Sequence, residues 1–496
     1  RRPVAGTRTE PEQYMQRYRR MLLDIHIPDF DERFLERYDP ALMAELYERA
    51  HLNAVMFYCK SHTGLCNWPT KVGKIHPALQ GRDVTRELLE ELKSRDIAAC
   101  AYHSLIFENW AWNEHPDWRI EPLDAQGEFG MLGPRYGICC PNNGGYREYE
   151  REQVADLLTR YEFDAVFFDM MFWPAVCGCV HCRERYRQEE GAEIPDTLDW
   201  TSASWCSFQA ARERWIRDFA RTMTDLAKQH QGEVPVYHNF APSSVDWLAG
   251  VSYSLSEEQD FCGGDNYGDE IQQLIWCKQM LHLSRHRPPE FMTSVVGFGL
   301  GDHVSLRPEA SMQFRAYGNV ALDAASLFID AVDPIGTVNA AVYDQVGRVY
   351  AKTAPYEPYL GGEPIEDVAI YASGESKMDF LRNDEPVGSS RWGRRAAPHL
   401  KAVRGAAIAL QQAHLPFGII TRRQLSELGR YRVVILPNVS RMDAGEIEAF
   451  RKYVGDGGCV YASHYTSLIE TRGVRHPDFL LADVFGCDLE SEEGAP

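Results

Sequence analysis

The stretch Phe163-Asp164-Ala165-Val166-Phe167-Phe168-Asp169, followed at once by Met170-Met171-Phe172-Trp173-Pro174, decides the fold. Its apolar centre, Ala165–Phe168, has the composition of a strand buried on both faces, which is the mark of a parallel sheet. A single carboxylate, Asp169, stands where the apolar run stops. Parallel neighbours need helical crossovers, and amphipathic stretches flank this strand at Arg147–Arg160 and Ala210–Gln229.

The same rhythm extends in both directions. Strands are read at Met21–Ile27, Ala54–Tyr58, Ala98–His103, Ala165–Asp169, Val234–Asn239, Ser252–Ser256, Phe291–Val296 and Ala325–Ile329, with further helices at Thr85–Ser94 and Glu270–Leu283. Eight strand–helix alternations predict an α/β chain with a (β/α)8 TIM-like barrel. No glycine-rich phosphate loop follows the first strand, which counts against a nucleotide-binding doubly wound sheet. The barrel is assigned residues 1–354, and a Pro/Gly-rich linker spans 355–366. Residues 367–496 repeat a β-α-β-α order through Val368–Ala372, His399–Gln412, Val433–Leu436, Ala444–Val454 and Cys459–Ala462, predicting a smaller Rossmann-like domain. The acidic end, Glu490–Pro496, brings no closing element, and the expectation is that a further domain once followed.

Composition narrows the partners. With a net charge of -20, the chain is repelled by nucleic acid and by anionic membranes. No run of about 18 apolar residues is present, so no membrane span is expected. The segment Arg1–Glu10 lacks the apolar core of a signal peptide. Thirteen cysteines, an odd number scattered over a long chain, fit reduced thiols and a cytoplasmic location better than a disulfide framework.

In a β/α barrel the carboxyl ends of the strands carry the chemistry. Those ends read Asp24-Ile25-His26, Tyr102-His103-Ser104, Asp169, Tyr237-His238-Asn239, Ser256-Glu257-Glu258 and Asp330, while Tyr58 leads into His62 and Trp68, and Ser104 into Trp110. Planar hydrogen-bonding groups alternating with aromatics suit a carbohydrate substrate, since hydroxyls take the former and the apolar sugar face stacks on the latter. His26, His62, Trp68, Tyr102, His103, Trp110, His238, Asn239 and Asp330 are the residues expected to line the sugar subsite. A retaining glycosidase needs a carboxylate nucleophile and a second carboxyl about 5 Å away. Asp169 suits the first role, and Glu257 or Glu258 the second. Adjacent strand residues face opposite ways, so only one of the pair can point inward.

Cys177-Gly178-Cys179-Val180-His181-Cys182 supplies three thiolates, and a tetrahedral structural zinc wants four ligands. His181, between two of them, is poorly placed for the same ion. Cys139 or Cys140, on the preceding loop, could reach over. The rival reading is a set of reduced thiols that pack the loop.

Several motifs resemble glycosidase families. Lys60-Ser-His62-Thr-Gly64-Leu-Cys-Asn-Trp68-Pro-Thr-Lys71 resembles the Lys-His-His-Asp-Gly-Phe…Trp-Pro-Ser-Lys motif of family 29 α-L-fucosidases, with Ser61 and Thr63 as departures. Tyr102-His-Ser104 with Trp110 resembles their Tyr-Tyr-Ser…Trp element, and Phe168-Asp169 their nucleophile. This resemblance implies that His62 contacts sugar hydroxyls and that Asp169 attacks the anomeric carbon. Tyr136–Arg147 together with the cysteine loop is similar to the zinc set of family 42 β-galactosidases, which implies Cys140, Cys177, Cys179 and Cys182 as ligands. Tyr431–Gly458 resembles the trimerisation domain of those enzymes, implying a homo-oligomer, dimer or trimer. The combination resembles family 151 α-L-fucosidases and related glycosidases. The expectation is a retaining exo-α-L-fucosidase needing no catalytic cofactor; the alternatives are a β-galactosidase-like or other exo-glycosidase, or a non-catalytic carbohydrate-binding protein.

Overall fold

The computed structural model describes residues 10–123, 136–240, 246–297, 305–389 and 397–490. The readings made on the first nine residues and on the tail beyond residue 490 lie outside the described residues.

Eight parallel strands form the barrel: β1 (Arg19–Asp24), β2 (Ala54–Lys60), β3 (Ala98–Ser104), β4 (Ala165–Asp169), β5 (Val236–His238), β6 (Gly263–Asp265), β7 (Glu290–Ser294) and β8 (Ala325–Ala331). Their ladder runs β5-β4-β3-β2-β1-β8-β7-β6. At the seam between its two ends, Asp260 N–H donates to Val236 O at 2.8 Å and the Tyr237 ring fills the space beside Gly263. The TIM-like barrel expected from the alternation of strands and helices is therefore the observed fold.

The barrel floor is polar and closed. Arg20 and Glu290, both without solvent exposure, pair at 2.8 Å; Tyr237 OH donates to the other Glu290 oxygen, and the guanidinium lies over the Tyr14 ring. A buried ion pair is tolerated only when its remaining hydrogen-bonding groups are satisfied, as they are here. Flanking helices are capped by their own sequence: Asn143 accepts from Tyr146 N–H ahead of Gly144–Arg160, and Asp269 from Gln272 N–H ahead of Glu270–Leu283.

One strand differs from the sequence reading. Ser252–Ser256 is not a strand; residues Tyr253–Glu258 form a 3-10 turn on the way to the true sixth strand, Gly263–Asp265. Glycine stands in that strand because its neighbours use the room: a Cβ on Gly263 would lie 2.6 Å from the Tyr237 ring. A strand without apolar side chains leaves no hydrophobic pattern to find.

The second domain has a parallel four-stranded sheet of β9 (Val368–Tyr371), β10 (Phe417–Ile420), β11 (Val433–Pro437) and β12 (Cys459–Ser463), in the order β10-β9-β11-β12. The Pro398–Gln412 helix joins it to the barrel, with Val403, Ala407 and Phe417 sharing a core with Trp276 and Met280 of Glu270–Leu283. Within the linker, Glu357 pairs with Arg19 at 3.0 Å.

Candidate active site

Side chains alternate along a strand, and the Arg20–Glu290 floor identifies the inward parity. Through the strand register it passes to Asp24, Tyr58, Tyr102, Asp169 and Asp265, all at the carboxyl ends. Asn239 follows β5 directly. These groups converge on one buried cluster.

Asn239 is its hinge. Its Nδ2 donates to Asp169 Oδ1 at 2.9 Å and to Asp265 Oδ2 at 2.9 Å. The two hydrogens of an amide nitrogen diverge by about 120°, so acceptors at this range stand about 5 Å apart. Asp169 also accepts from Tyr102 OH and, at 2.8 Å, from Met170 N–H, and His62 Nε2 lies 3.8 Å from its Oδ2. Asp265 accepts from Tyr267 OH at 2.9 Å.

A second pair sits beside them. Asp24 Oδ1 binds His26 Nδ1 and accepts from His26 N–H, leaving His26 Nε2 buried without a hydrogen-bond partner among the described residues. The His26 ring is 4.2 Å from that of His62, whose Nδ1 bonds Ser104 Oγ at 2.6 Å. Tyr136 stands edge-on to His62 at 4.9 Å, and Tyr58 stacks on Tyr102 at 3.7 Å.

Burial moves these acids apart. Asp265 is pushed up to about 7, by loss of solvent first and by the Asp169 charge second. Asp169 is also raised by burial, but Tyr102, Asn239 and the Met170 amide favour its ionised form. Of two carboxyls with one bridging donor, Asp265 is thus the better proton holder, and the donors around Asp169 favour its anion.

Other residues expected in the site lie elsewhere. His103 and His238 have the opposite parity and face the helices: His103 Nε2 bonds Glu150 at 2.9 Å and His238 Nε2 bonds Thr224 Oγ1 at 2.8 Å. Burial pushes both well down, to about 4 and about 3. Asp330 also points outward; burial raises it to about 6, beside Tyr343 of a flanking helix. Trp68 is buried and donates to Asp156 at 3.0 Å, and Trp110 packs on Tyr149. None of these five is brought to Asp169.

Glu257 and Glu258 are corrected with the strand that was to carry them. They lie on the outer face, where Arg217 and Arg221 bind Glu258 at 2.5 and 2.8 Å and Arg217 binds Glu257 at 2.7 Å. Despite partial burial, the two arginines hold Glu258 below the usual carboxylate range. A carboxylate so held has no proton to donate near neutrality. Asp265 is the residue that sequence reading missed; the signal was the Gly263-Gly264-Asp265 run, legible only as a strand without side chains.

The cysteines do meet. Cys140 Sγ is 3.6 Å from Cys182 Sγ, 3.6 Å from Cys179 Sγ and 3.9 Å from Cys177 Sγ, and all four sulfurs lie within 4.8 Å of one another. With Zn–S bonds of about 2.3 Å, the edge of a tetrahedron is about 3.8 Å. The four thiols therefore have the spacing of a closed zinc site. His181 is turned away, against Asn143.

Comparison with known proteins agrees with this scaffold. Residues 39–170 match the family described as "Hypothetical glycosyl hydrolase 6". No curated protein matches the sequence. The fold is similar to that of α-L-fucosidase isoenzyme 2 from Paenibacillus thiaminolyticus, with a TM-score of 0.75 and 19% identity over 91% of this chain. The chain spans 64% of that enzyme's length. It is also similar to the β-galactosidases of Bacillus circulans sp. alkalophilus (TM-score 0.70, 15% identity, 95% of this chain and 75% of that one) and of Halorubrum lacusprofundi (0.72, 15%, 96% and 78%). At these identities the likeness is one of fold.

Proposed function

We propose that the protein is a retaining exo-glycoside hydrolase of α-L-fucosidase type, with Asp169 as nucleophile and Asp265 as acid/base. The observation that carries this reading is the Asn239 bridge: one amide nitrogen donates at 2.9 Å to each carboxyl, which supports a spacing near the roughly 5 Å used in double displacement. In the first step an Asp169 oxygen bonds the anomeric carbon. The glycosidic C–O bond breaks, and the leaving oxygen takes the Asp265 proton. In the second step Asp265 removes a proton from water, the hydroxide oxygen bonds the same carbon, and the Asp169 ester is released. Retention of configuration follows from the two inversions.

Each neighbour has a task in this scheme. Tyr102 and Asn239 hold Asp169 in line and stabilise its charge before attack and after release. Asp24 fixes the tautomer of His26, so that Nε2 faces a sugar hydroxyl. His62, tethered through Ser104, serves the neighbouring hydroxyl. The preference for fucose rests on the Lys60–Lys71 and Phe168-Asp169 motifs and on the similar fucosidase fold. A panel of nitrophenyl glycosides tests the reading: turnover of the fucoside is expected in the wild type and lost in Asp169→Ala, and full turnover in that variant would overturn it.

We also propose that Cys140, Cys177, Cys179 and Cys182 hold a structural zinc. Its chemistry there is cross-linking: four thiolates fill the coordination shell and no position remains for substrate. The site ties the loop after Asp169 to the segment after β3. Metal content of the purified protein checks this, with one zinc per chain expected and none in a Cys177→Ser/Cys182→Ser double variant.

A further inference from the structure

We propose that Glu108 is a positioning residue for the sugar subsite, its buried carboxyl wedged beneath the Ser61–Gly64 turn and setting the reach of His62. The proposal rests on the glycosidase reading for its consequence, and on separate geometry for its mechanism.

Glu108 has no solvent exposure. Oε1 accepts from Ala111 N–H at 3.0 Å, capping the short Asn109–Glu114 helix, while the partner of Oε2 among the described residues is the Lys60 ammonium at 3.5 Å. Directly above it is Gly64, with φ +77: a Cβ there would lie 1.7 Å from Glu108 Oε1. Any side chain at this position would strike the carboxyl, and the left-handed backbone disfavours one as well. The turn therefore rests on Glu108. The flanking backbone makes the same connection, since Asn109 N–H donates to His62 O at 3.0 Å and Glu108 N–H to Gly137 O at 2.9 Å, next to Tyr136. The consecutive residues Glu108 and Asn109 thus tie the backbone at His62 to the segment that carries the aromatic wall opposite it.

The surroundings explain why a carboxyl there is sensitive. Lys60 Nζ is 2.6 Å from Glu150 and 3.5 Å from Glu108. Glu150 is saturated: it also accepts from Tyr146 OH at 2.9 Å and bonds His103 at 2.9 Å. Burial alone would raise Glu150, but Lys60 and His103 hold it below the ordinary value. One ammonium already engaged by one carboxylate leaves the second, Glu108, without full compensation. Burial carries Glu108 up to about 7, Lys60 opposes this, and the Glu150 charge adds to it. The other titratable groups facing the pocket are Cys66, Cys139, Tyr146 and Tyr149, and burial keeps all four protonated. Ionisation of Glu108 near neutrality draws on Lys60 at Oε2 and charges the carboxyl whose Oε1 lies beneath the turn.

The mechanism assigns substrate affinity to this group and the chemical step to Asp265. The experiment uses the full chain and Glu108→Gln, which keeps the shape and removes the charge. KM of the wild type is expected to rise about tenfold between pH 6 and 8 as the turn shifts, while in Glu108→Gln it stays level and kcat keeps its own pH profile. A KM profile in the variant that matches that of the wild type overturns the proposal. A second readout needs no turnover: the His62 ring resonances, assigned with His62→Asn, should follow a pH curve in the wild type with an inflection that Glu108→Gln abolishes. Superimposable curves overturn the positioning role whatever the protein hydrolyses. A lost inflection in a protein that cleaves no glycoside supports the positioning role and defeats the glycosidase reading.

Discussion

Two carboxylate pairs, Asp169 with Asp265 and Glu257 with Glu258, stand in opposite surroundings. Asp169 and Asp265 meet at the barrel mouth, share one amide donor and face no lysine or arginine among the bonds described for them. Glu257 and Glu258 lie outside the barrel, each held by arginine. The first pair is desolvated, which raises both acids, and Asp265 is the member that holds its proton while the donors around Asp169 favour its ionised form. The second is paired with arginines, which hold Glu258 below the usual carboxylate range. What distinguishes a candidate catalyst from a surface salt bridge is the environment that the barrel builds around it.

Substitutions can break this contrast in decreasing order of effect. Asp169→Ala should lower kcat/KM on the cleaved glycoside by roughly 10⁴-fold, read from initial rates. Asp265→Asn should cost about 10²–10⁴ in kcat, least for nitrophenyl leaving groups that need little protonation. The same residue sets the wild-type pH profile. Asp265 must hold its proton, so kcat is expected to fall about tenfold per unit above the value of about 7, and the limb should vanish in the variant.

Gly264→Ala tests the bridge without touching either acid. Gly264 has φ +144, and a Cβ there would lie 2.6 Å from Asn239 Oδ1. Displacing that carboxamide should reduce kcat by about tenfold to a hundredfold, with protein folding followed by circular dichroism. Zinc removal should act on the other axis, lowering the thermal midpoint while leaving kcat of the folded fraction within about twofold. Smallest of all, Glu257→Gln and Glu258→Gln should leave kcat unchanged and alter stability by no more than about 1 kcal/mol in denaturant titration. A large loss of turnover in either would reverse the assignment of the two pairs.

The sequence was legible where local pattern and burial agree. β4 occupies Ala165–Asp169 as its apolar run requires, and the Glu270–Leu283 helix has the bounds its amphipathic stretch suggested. Asp169, His26, His62, Tyr102 and Asn239 fall in one cluster because they follow inward positions or the loops just beyond them. His103, His238 and Asp330 were one step out of phase, and on a strand one step reverses the direction of the side chain. Phase is set by pairing with neighbouring strands, and a single strand buried on both faces carries no mark of it. β6 was illegible for a different reason. Its glycines make room for Tyr237 and Asn239, so the pattern that defines the strand belongs to its neighbours.

Local physical chemistry in the chain thus determined the alternation of strands and helices, the parallel barrel and the loops that carry carboxylate and thiol groups. Only the tertiary structure decided which carboxylates meet. Closing the barrel brings Asp265 to Asp169 through Asn239 and leaves Glu257 and Glu258 among arginines outside. The reason is that partnership across a barrel depends on register and side-chain phase summed over all eight strands, and no single segment contains that information.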